Sequence, residues 1–177
     1  MKILRNIIFG LLALLILLLV AALFIDKHFV VVREVTINKP KMEVFNYVKI
    51  IRNSTYYNHW WLIDPKAKLD FKGNDGTLGF IASWDSENND MGAGEQEIKK
   101  VVDGERVDCA LRFKKPFVGE AVTYMALEAV NDKTTKLKWA FESDSHYPMN
   151  MMNLLMGKML GGYLEESEQK LKAILEK

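Results

Sequence analysis

Residues whose chemistry supports catalysis or metal binding are few and scattered in this chain. It contains three histidines and one cysteine, namely His28, His59, His146 and Cys109. No histidine stands at a ligand spacing from the cysteine or from another histidine, which argues against a zinc site. Cys109 alternates with apolar residues, a pattern typical of a buried small side chain rather than a nucleophile. The sequence also has no G-x-S-x-G or P-loop motif. It therefore indicates no catalytic residue, no metal and no cofactor.

A second set of residues is suited to binding an apolar molecule. Aromatic residues recur on one face of several strand-like segments, and methionines recur at helical spacing near the C-terminus. A packed core explains this pattern as well as a binding pocket does. In the pocket interpretation, methionine side chains repack easily around a flexible ligand, and a few polar groups orient it. The candidate ligand-binding residues are Trp60, Phe80, Trp84, Gln96, Trp139, Phe141, Met152, Met156, Met159 and Tyr163, with His59 and Glu95 as further polar candidates.

The apolar residues are concentrated at the N-terminus. Of 177 residues 49% are apolar, and residues 1–25 contain 21 apolar side chains and no acidic one. Residues 7–25 form an uncharged run which, as a helix of about 28 Å, crosses the hydrocarbon of a bilayer. We expect an uncleaved membrane anchor, with a cleaved signal peptide and a buried helix as alternatives. Lys2 and Arg5 before the run favour a cytoplasmic N-terminus and an extracytoplasmic, periplasmic-side domain, although basic residues also follow it.

The rest of the chain has the composition of one soluble domain. Without Lys2 and Arg5 it carries 22 basic and 23 acidic side chains, so there is no basic field for nucleic acid. The single cysteine excludes a disulfide scaffold. We therefore divide the chain into an anchor with its linker, residues 1–29, and one domain, residues 30–177.

The periodicity of the domain predicts one strand, two short helical pieces, six further strands and one long helix. Six consecutive strands with short turns imply an antiparallel sheet. We expect this sheet to curve around the long helix and to enclose a cavity. The predicted strands are 30–38, 67–72, 77–85, 93–102, 106–113, 118–130 and 135–142, and the predicted helices are 41–48, 52–57 and 150–175.

Glycines mark two places where the backbone is expected to depart from the regular pattern. Gly92-Ala93-Gly94 stands at the start of a predicted strand, which indicates a bulge or a close approach rather than a phosphate cradle. Gly161-Gly162 lies inside the long helix, where it predicts either a weak point or a close contact with a neighbouring element.

Several short motifs occur in order along residues 30–177. They are Pro40 followed by Val44-Phe45-Asn46-Tyr47-Val48, Trp60 before Asp64-Pro65, Phe71-x-Gly73 before Gly79 and Trp84, and Leu137-Lys138-Trp139. Together they resemble the START-like superfamily, also called SRPBCC, in particular its polyketide cyclase/dehydrase and lipid-transport branch. One departure is His59, since a proline commonly precedes the tryptophan. The resemblance implies an α+β helix-grip fold, in which a curved antiparallel sheet of about seven strands wraps around a long C-terminal helix.

The superfamily hosts many reactions, so the resemblance implies a hydrophobic-ligand cavity but no single activity. The favoured hypothesis is a membrane-anchored, non-catalytic domain that binds a lipid or another small hydrophobic ligand, because the anchor places it beside membrane-derived molecules. One alternative is a protein-interaction module of the envelope. The other is a polyketide cyclase/dehydrase-like enzyme, which needs an acid–base group in the pocket.

Overall fold

The computed structural model describes residues 2–177 of the chain. An apolar N-terminal helix is followed by one strand, short helices, six strands and a long helix. Single 3-10 turns precede α3 and α4, at Ile51–Tyr56 and Met149–Met152. The helices are α1 (Lys2–Ala22), α2 (Lys41–Val48), α3 (His59–Leu62) and α4 (Asn153–Leu175). The strands are β1 (His28–Ile37), β2 (Lys68–Lys72), β3 (Ile81–Asp85), β4 (Ala93–Val102), β5 (Arg106–Lys115), β6 (Gly119–Asn131) and β7 (Thr134–Asp144).

The seven strands form one antiparallel sheet in the order β1-β7-β6-β5-β4-β3-β2. Six strands follow one another along the chain as hairpins, and β1 joins the sheet beside β7. The helix α4 packs across the inner face, mainly against β1. The predicted α+β architecture is therefore confirmed, with the sheet on one side and the long helix on the other.

The inner face is fully packed at the end where β1 finishes. There α2 covers the sheet, and its residues Val44 and Phe45 are completely buried. They meet the inner-facing residues Ile37 and Leu137, which are also completely buried. Strand alternation places these side chains on one face, and burial of each large apolar group contributes about 1.5–3 kcal/mol. This end of the domain is a filled core.

The strand predicted at 77–85 is shorter than expected. It begins at Ile81, and Leu78 lies in a turn with 71% of its surface exposed. Gly76 and Gly79 both adopt positive φ angles, of 77° and 82°, which end the extended conformation on either side of Leu78. Phe80 is buried as expected, but it precedes the strand.

Both glycine motifs are explained by close approaches. The register of β4 shifts between Ala93 and Gly94, and a Cβ atom on Gly94 would lie 2.6 Å from the ring of Trp84. The predicted bulge is thus confirmed. In α4, a Cβ atom on Gly161 would collide with the guanidinium group of Arg33 on β1. Gly161 therefore permits α4 and β1 to pack closely.

The segment before α4 holds the C-terminal end of α1. Asn150 is completely buried, and its side-chain amide donates to the carbonyl oxygens of Ala22 (2.7 Å) and Ile25 (2.8 Å). The hydroxyl of Tyr147 donates to the carbonyl oxygen of Leu19 at 3.3 Å. The last carbonyls of a helix have no partner within it, so these bonds cap α1. By length and composition, α1 is able to cross a membrane.

Candidate ligand-binding site

The two halves of α4 differ in their contact with the sheet. In the second half, Leu164 and Leu171 are 9% and 0% exposed. In the first half, Leu154 and Leu155 are 67% and 68% exposed, although an amphipathic helix normally buries its apolar residues. Because this half begins at the residues that hold α1, the incompletely covered end of the inner face is the end nearest the apolar helix.

Two candidate methionines lie in this first half of α4, and the third, Met152, immediately precedes the helix. Met156 is half-buried and packs against the core, whereas Met152 and Met159 are 50% and 43% exposed. The structure divides the methionine stripe into one member facing the sheet and two that also face solvent.

Half-buried aromatic side chains cover the same end of the inner face. Trp60 meets Phe113 edge-on with their ring centroids 5.9 Å apart, and Phe141 lies 6.0 Å from Phe29. Within residues 2–177, the buried indole N–H of Trp60 has no hydrogen-bond partner. A buried donor of this kind normally has an acceptor, which water or a ligand can supply. We refer to Phe29, Trp60, Phe113, Phe141 and Met156 as the half-buried cluster.

A polar chain of residues borders the half-buried cluster. The ring of His59 stacks on Tyr163 with centroids 4.1 Å apart, and its Nδ1 lies 2.7 Å from Oε2 of Glu166. Glu166 Oε1 also forms an ion pair with Lys170 Nζ at 2.7 Å. The contacts with Lys170 and His59 together lower the pKa of the Glu166 carboxyl. The backbone N–H of His59 donates to Ser167 Oγ at 2.8 Å. These contacts fasten α3 to α4 and hold an imidazole beside an apolar surface.

Three other candidates form the packed floor of the inner face. Phe80, Trp84 and Trp139 are at most 4% exposed. Both indoles have internal acceptors, since Trp84 Nε1 donates to Met91 O at 3.2 Å and Trp139 Nε1 donates to Thr123 Oγ1 at 2.9 Å. These residues support the site from within the core.

The polar candidates on β4 lie on opposite faces. Gln96 is opposite Ala82 and Leu111 in the register, which places it on the inner face. It hydrogen-bonds to the thiol of Cys109, whose pKa burial raises to about 12 despite the opposing effect of this bond. Cys109 is therefore a buried small residue, as expected. Glu95 was a wrong candidate, because alternation turns it to the outer face, where it pairs with Arg112 (2.6 Å).

The inner face also contains polar groups that were not candidates. Glu168 on α4 is 1% exposed, and burial raises the pKa of its carboxyl to about 8, opposed by Arg33. Among residues 2–177, neither Glu168 Oε1 nor the buried hydroxyl of Tyr57 has a hydrogen-bond partner. The sequence did contain a signal for a buried charge on this face. Arg33 alternates with Val31 and Val35, which are buried on the inner side of β1, so Arg33 points to the same side.

Two open grooves, of about 350 and 270 Å³, stand out on residues 2–177, and the cavity expected beneath α4 is not one of them. The first lies at the ends of β2–β5 and includes Lys68 and Lys115, and the second is lined by Arg52 and Phe71. Neither groove lies between the sheet and α4, where Met156 and the half-buried aromatic side chains pack against the buried core. A ligand at this site must therefore displace side chains of the half-buried cluster.

No protein-family model matches the chain, and no curated protein matches its sequence. Solved structures do match it in fold. Norcoclaurine synthase from Thalictrum flavum, in complex with dopamine and hydroxybenzaldehyde, has a TM-score of 0.63 at 12% identity, covering 84% of this chain and 86% of the synthase. A protein from Chromobacterium violaceum gives 0.61 at 13% identity, covering 84% and 97%. DynU16, a putative protein in the dynemicin biosynthetic locus, gives 0.58 at 17% identity, covering 85% and 48%.

These likenesses and the arrangement of α4 on the seven-stranded sheet define a helix-grip fold. The predicted fold class is confirmed. At identities of 12–17% the likeness is one of fold, and it does not by itself assign a ligand or a reaction.

Proposed function

We propose that this protein is a membrane-anchored helix-grip protein of the START-like type, which binds a lipid or another small hydrophobic molecule without transforming it. The bound molecule lies between the first half of α4 and the sheet, in contact with the half-buried cluster. One observation carries this proposal. The large apolar side chains of α4 that remain exposed all lie in its first half, where aromatic residues of the inner face are also only half-buried.

Residues 7–25 supply the anchor in this proposal. The most apolar stretch of α1 contains no acidic side chain, yet none of it is buried against the rest of the protein. An apolar surface of this size is incompatible with water and matches the hydrocarbon of a bilayer. Lys2 and Arg5 before the apolar run favour a cytoplasmic N-terminus and an extracytoplasmic domain.

The chemistry of the site favours an apolar and flexible ligand. Met156 has an unbranched thioether side chain that adopts new rotamers at little cost, so the cluster can open without disturbing the filled end of the core. The unpartnered N–H of Trp60 is placed to bind one acceptor of the ligand, such as a carbonyl or an ester oxygen. The fold neighbour norcoclaurine synthase, in its complex with dopamine and hydroxybenzaldehyde, shows that such a fold accommodates small molecules.

The proposal is tested by native mass spectrometry of the full chain released from detergent micelles. Met156→Trp fills the space that the ligand needs, whereas Met42→Trp adds the same group at a position of α2 that is 45% exposed. We expect a lipid adduct on the wild-type chain and on Met42→Trp, and its loss from Met156→Trp. Equal adducts on all three chains would assign the lipid to α1 and contradict binding at the cluster.

One observation favours a second function, in which the domain is a cyclase/dehydrase-like enzyme. Glu166 holds Nδ1 of His59 and thereby orients the ring, which leaves Nε2 for proton exchange with a substrate. The test compares the small molecules extracted from the wild-type chain and from His59→Gln. An enzyme accumulates an unconverted precursor on the variant, whereas a binding protein carries the same molecule in both.

A further inference from the structure

A group of strongly exposed apolar residues surrounds the end of the domain from which α1 emerges. Each of these side chains is at least 50% exposed, and two of them exceed 80%. They belong to the loop between β5 and β6, to the 3-10 turn before α4 and to the first turn of α4. We call them the collar, and they are Phe117, Val118, Met149, Met152, Leu154 and Leu155.

Strand register brings the two parts of the collar to the same end of the sheet. His28, the first residue of β1, is opposite Asp144, the last residue of β7. Beside them, Ser143 Oγ donates to the carbonyl oxygen of Glu120 at 2.9 Å, so β6 also begins at this end. Phe117 and Val118 immediately precede β6, and the start of α4 follows β7 by a short loop. Both parts therefore border the exit of α1.

The hydrogen bonds to α1 fix the distance between the collar and the apolar helix. Asn150 stands next to Met149 in the chain and donates to Ala22, the last residue of α1. Tyr147 reaches the carbonyl oxygen of Leu19, one turn further inside the helix. If residues 7–25 span a bilayer, these contacts place the collar at the level where the helix leaves the hydrocarbon. Tyrosine is enriched at that level because it has an apolar ring and a polar hydroxyl.

We propose that the collar lies in the interfacial layer of the bilayer that holds α1, so that the half-buried cluster opens onto lipid rather than onto water. This inference rests on the proposed anchoring by α1. It explains the exposure of the collar, since contiguous apolar patches of this kind normally face a partner or a membrane. It also gives a membrane-derived ligand a path to Met156 that avoids water.

The test uses the full chain in lipid nanodiscs, labelled with the fluorophore NBD at a single introduced cysteine. Val118→Cys and Leu154→Cys report on the two parts of the collar. Val130→Cys is the matched control, because Val130 is 58% exposed at the end of β6 that is remote from α1. The native Cys109 is buried, so the wild-type chain serves as the labelling blank. Circular dichroism verifies that each variant is folded.

Spin-labelled lipids distinguish the occupants of the collar. We expect a blue-shifted emission at positions 118 and 154 that is lost on addition of spin-labelled lipid, and neither effect at position 130. Equal quenching at all three positions would overturn the proposal. A blue shift that spin-labelled lipid does not quench would assign the collar to a second copy or another protein, and would also overturn it. Flotation of the wild-type chain with vesicles tests the anchor separately, so failure of the collar and failure of the anchor give different results.

Discussion

The side-chain amide of Asn150 lies 2.7 Å from the carbonyl oxygen of Ala22, although the two residues are 128 positions apart in the chain. Both are almost completely buried. This contact joins the last turn of the apolar helix to the segment that leads into α4. It thereby makes the apolar helix α1 and the incompletely covered half of α4 parts of one structural unit.

Replacing Asn150 by aspartate should separate these two elements. The carboxylate cannot donate to Ala22 O and Ile25 O, and it adds charge beside two carbonyl oxygens. A buried carbonyl without its donor costs about 1–3 kcal/mol. We expect a lower thermal midpoint and faster amide hydrogen exchange at residues 149–156. Asn46→Asp, at an exposed position of α2, is the control. Identical exchange in the two variants would show that the contact does not order this segment.

The stability of the domain should depend on pH through Glu168. Burial raises the pKa of this carboxyl from its ordinary value of 4.5 to about 8 in the folded state. Between these values the unfolded chain has released the proton and the folded chain retains it, so stability falls as pH rises from 4.5 to about 8. Above that range the carboxylate is charged in both states and the loss is complete.

Glu168→Gln removes this titration and should flatten the profile of thermal midpoint against pH, with the largest gain over wild type near pH 8–9. Glu87→Gln, at an exposed position of the loop between β3 and β4, should leave the wild-type profile unchanged. If the profiles of Glu168→Gln and wild type are parallel, the carboxyl is not buried as described.

The adjacent glycines of α4 provide a matched pair for testing how closely the helix packs on β1. Alanine at Gly162 meets no atom within 4 Å, so it should stabilise the helix by about 0.5–1 kcal/mol. Alanine at Gly161 must displace the guanidinium of Arg33, which donates to Val32 O at 2.7 Å. It should therefore be less stable than Gly162→Ala by about 1 kcal/mol or more, as measured by chemical unfolding. Equal effects at both sites would refute the close contact.

The order of elements was predictable because each has its own period. Alternation in β4–β7 and the methionine spacing of α4 follow directly from strand and helix geometry. The exact start of β3 was not predictable from the period, because it depends on the positive φ angles of Gly76 and Gly79. The outward direction of Glu95 could have been predicted from strand alternation. Gln96 stands two residues before the inner-facing Ile98 and shares its face, so its neighbour Glu95 faces the other way.

The candidate site was predictable in its residue types but not in its arrangement. The sequence proposed Trp60, Phe141 and Met156 as ligand-binding residues, and the structure shows each of them half-buried against the core. It did not reveal that the indole N–H groups of Trp84 and Trp139 already have acceptors within the protein, nor that Asn150 caps α1. These facts depend on contacts between residues remote in the chain, which periodicity does not encode.

Ligand binding at the half-buried cluster is tested most directly by photocrosslinking of the full chain with a diazirine-bearing phospholipid in native-like vesicles. After digestion, we expect adducts on the peptides that contain Met156, Trp60 and Phe141, in addition to those on α1. We expect none on the peptide of α2, whose residues Val44 and Phe45 lie in the filled end of the core. Adducts confined to α1 would contradict the claim that the helix-grip domain binds a hydrophobic ligand at the half-buried cluster.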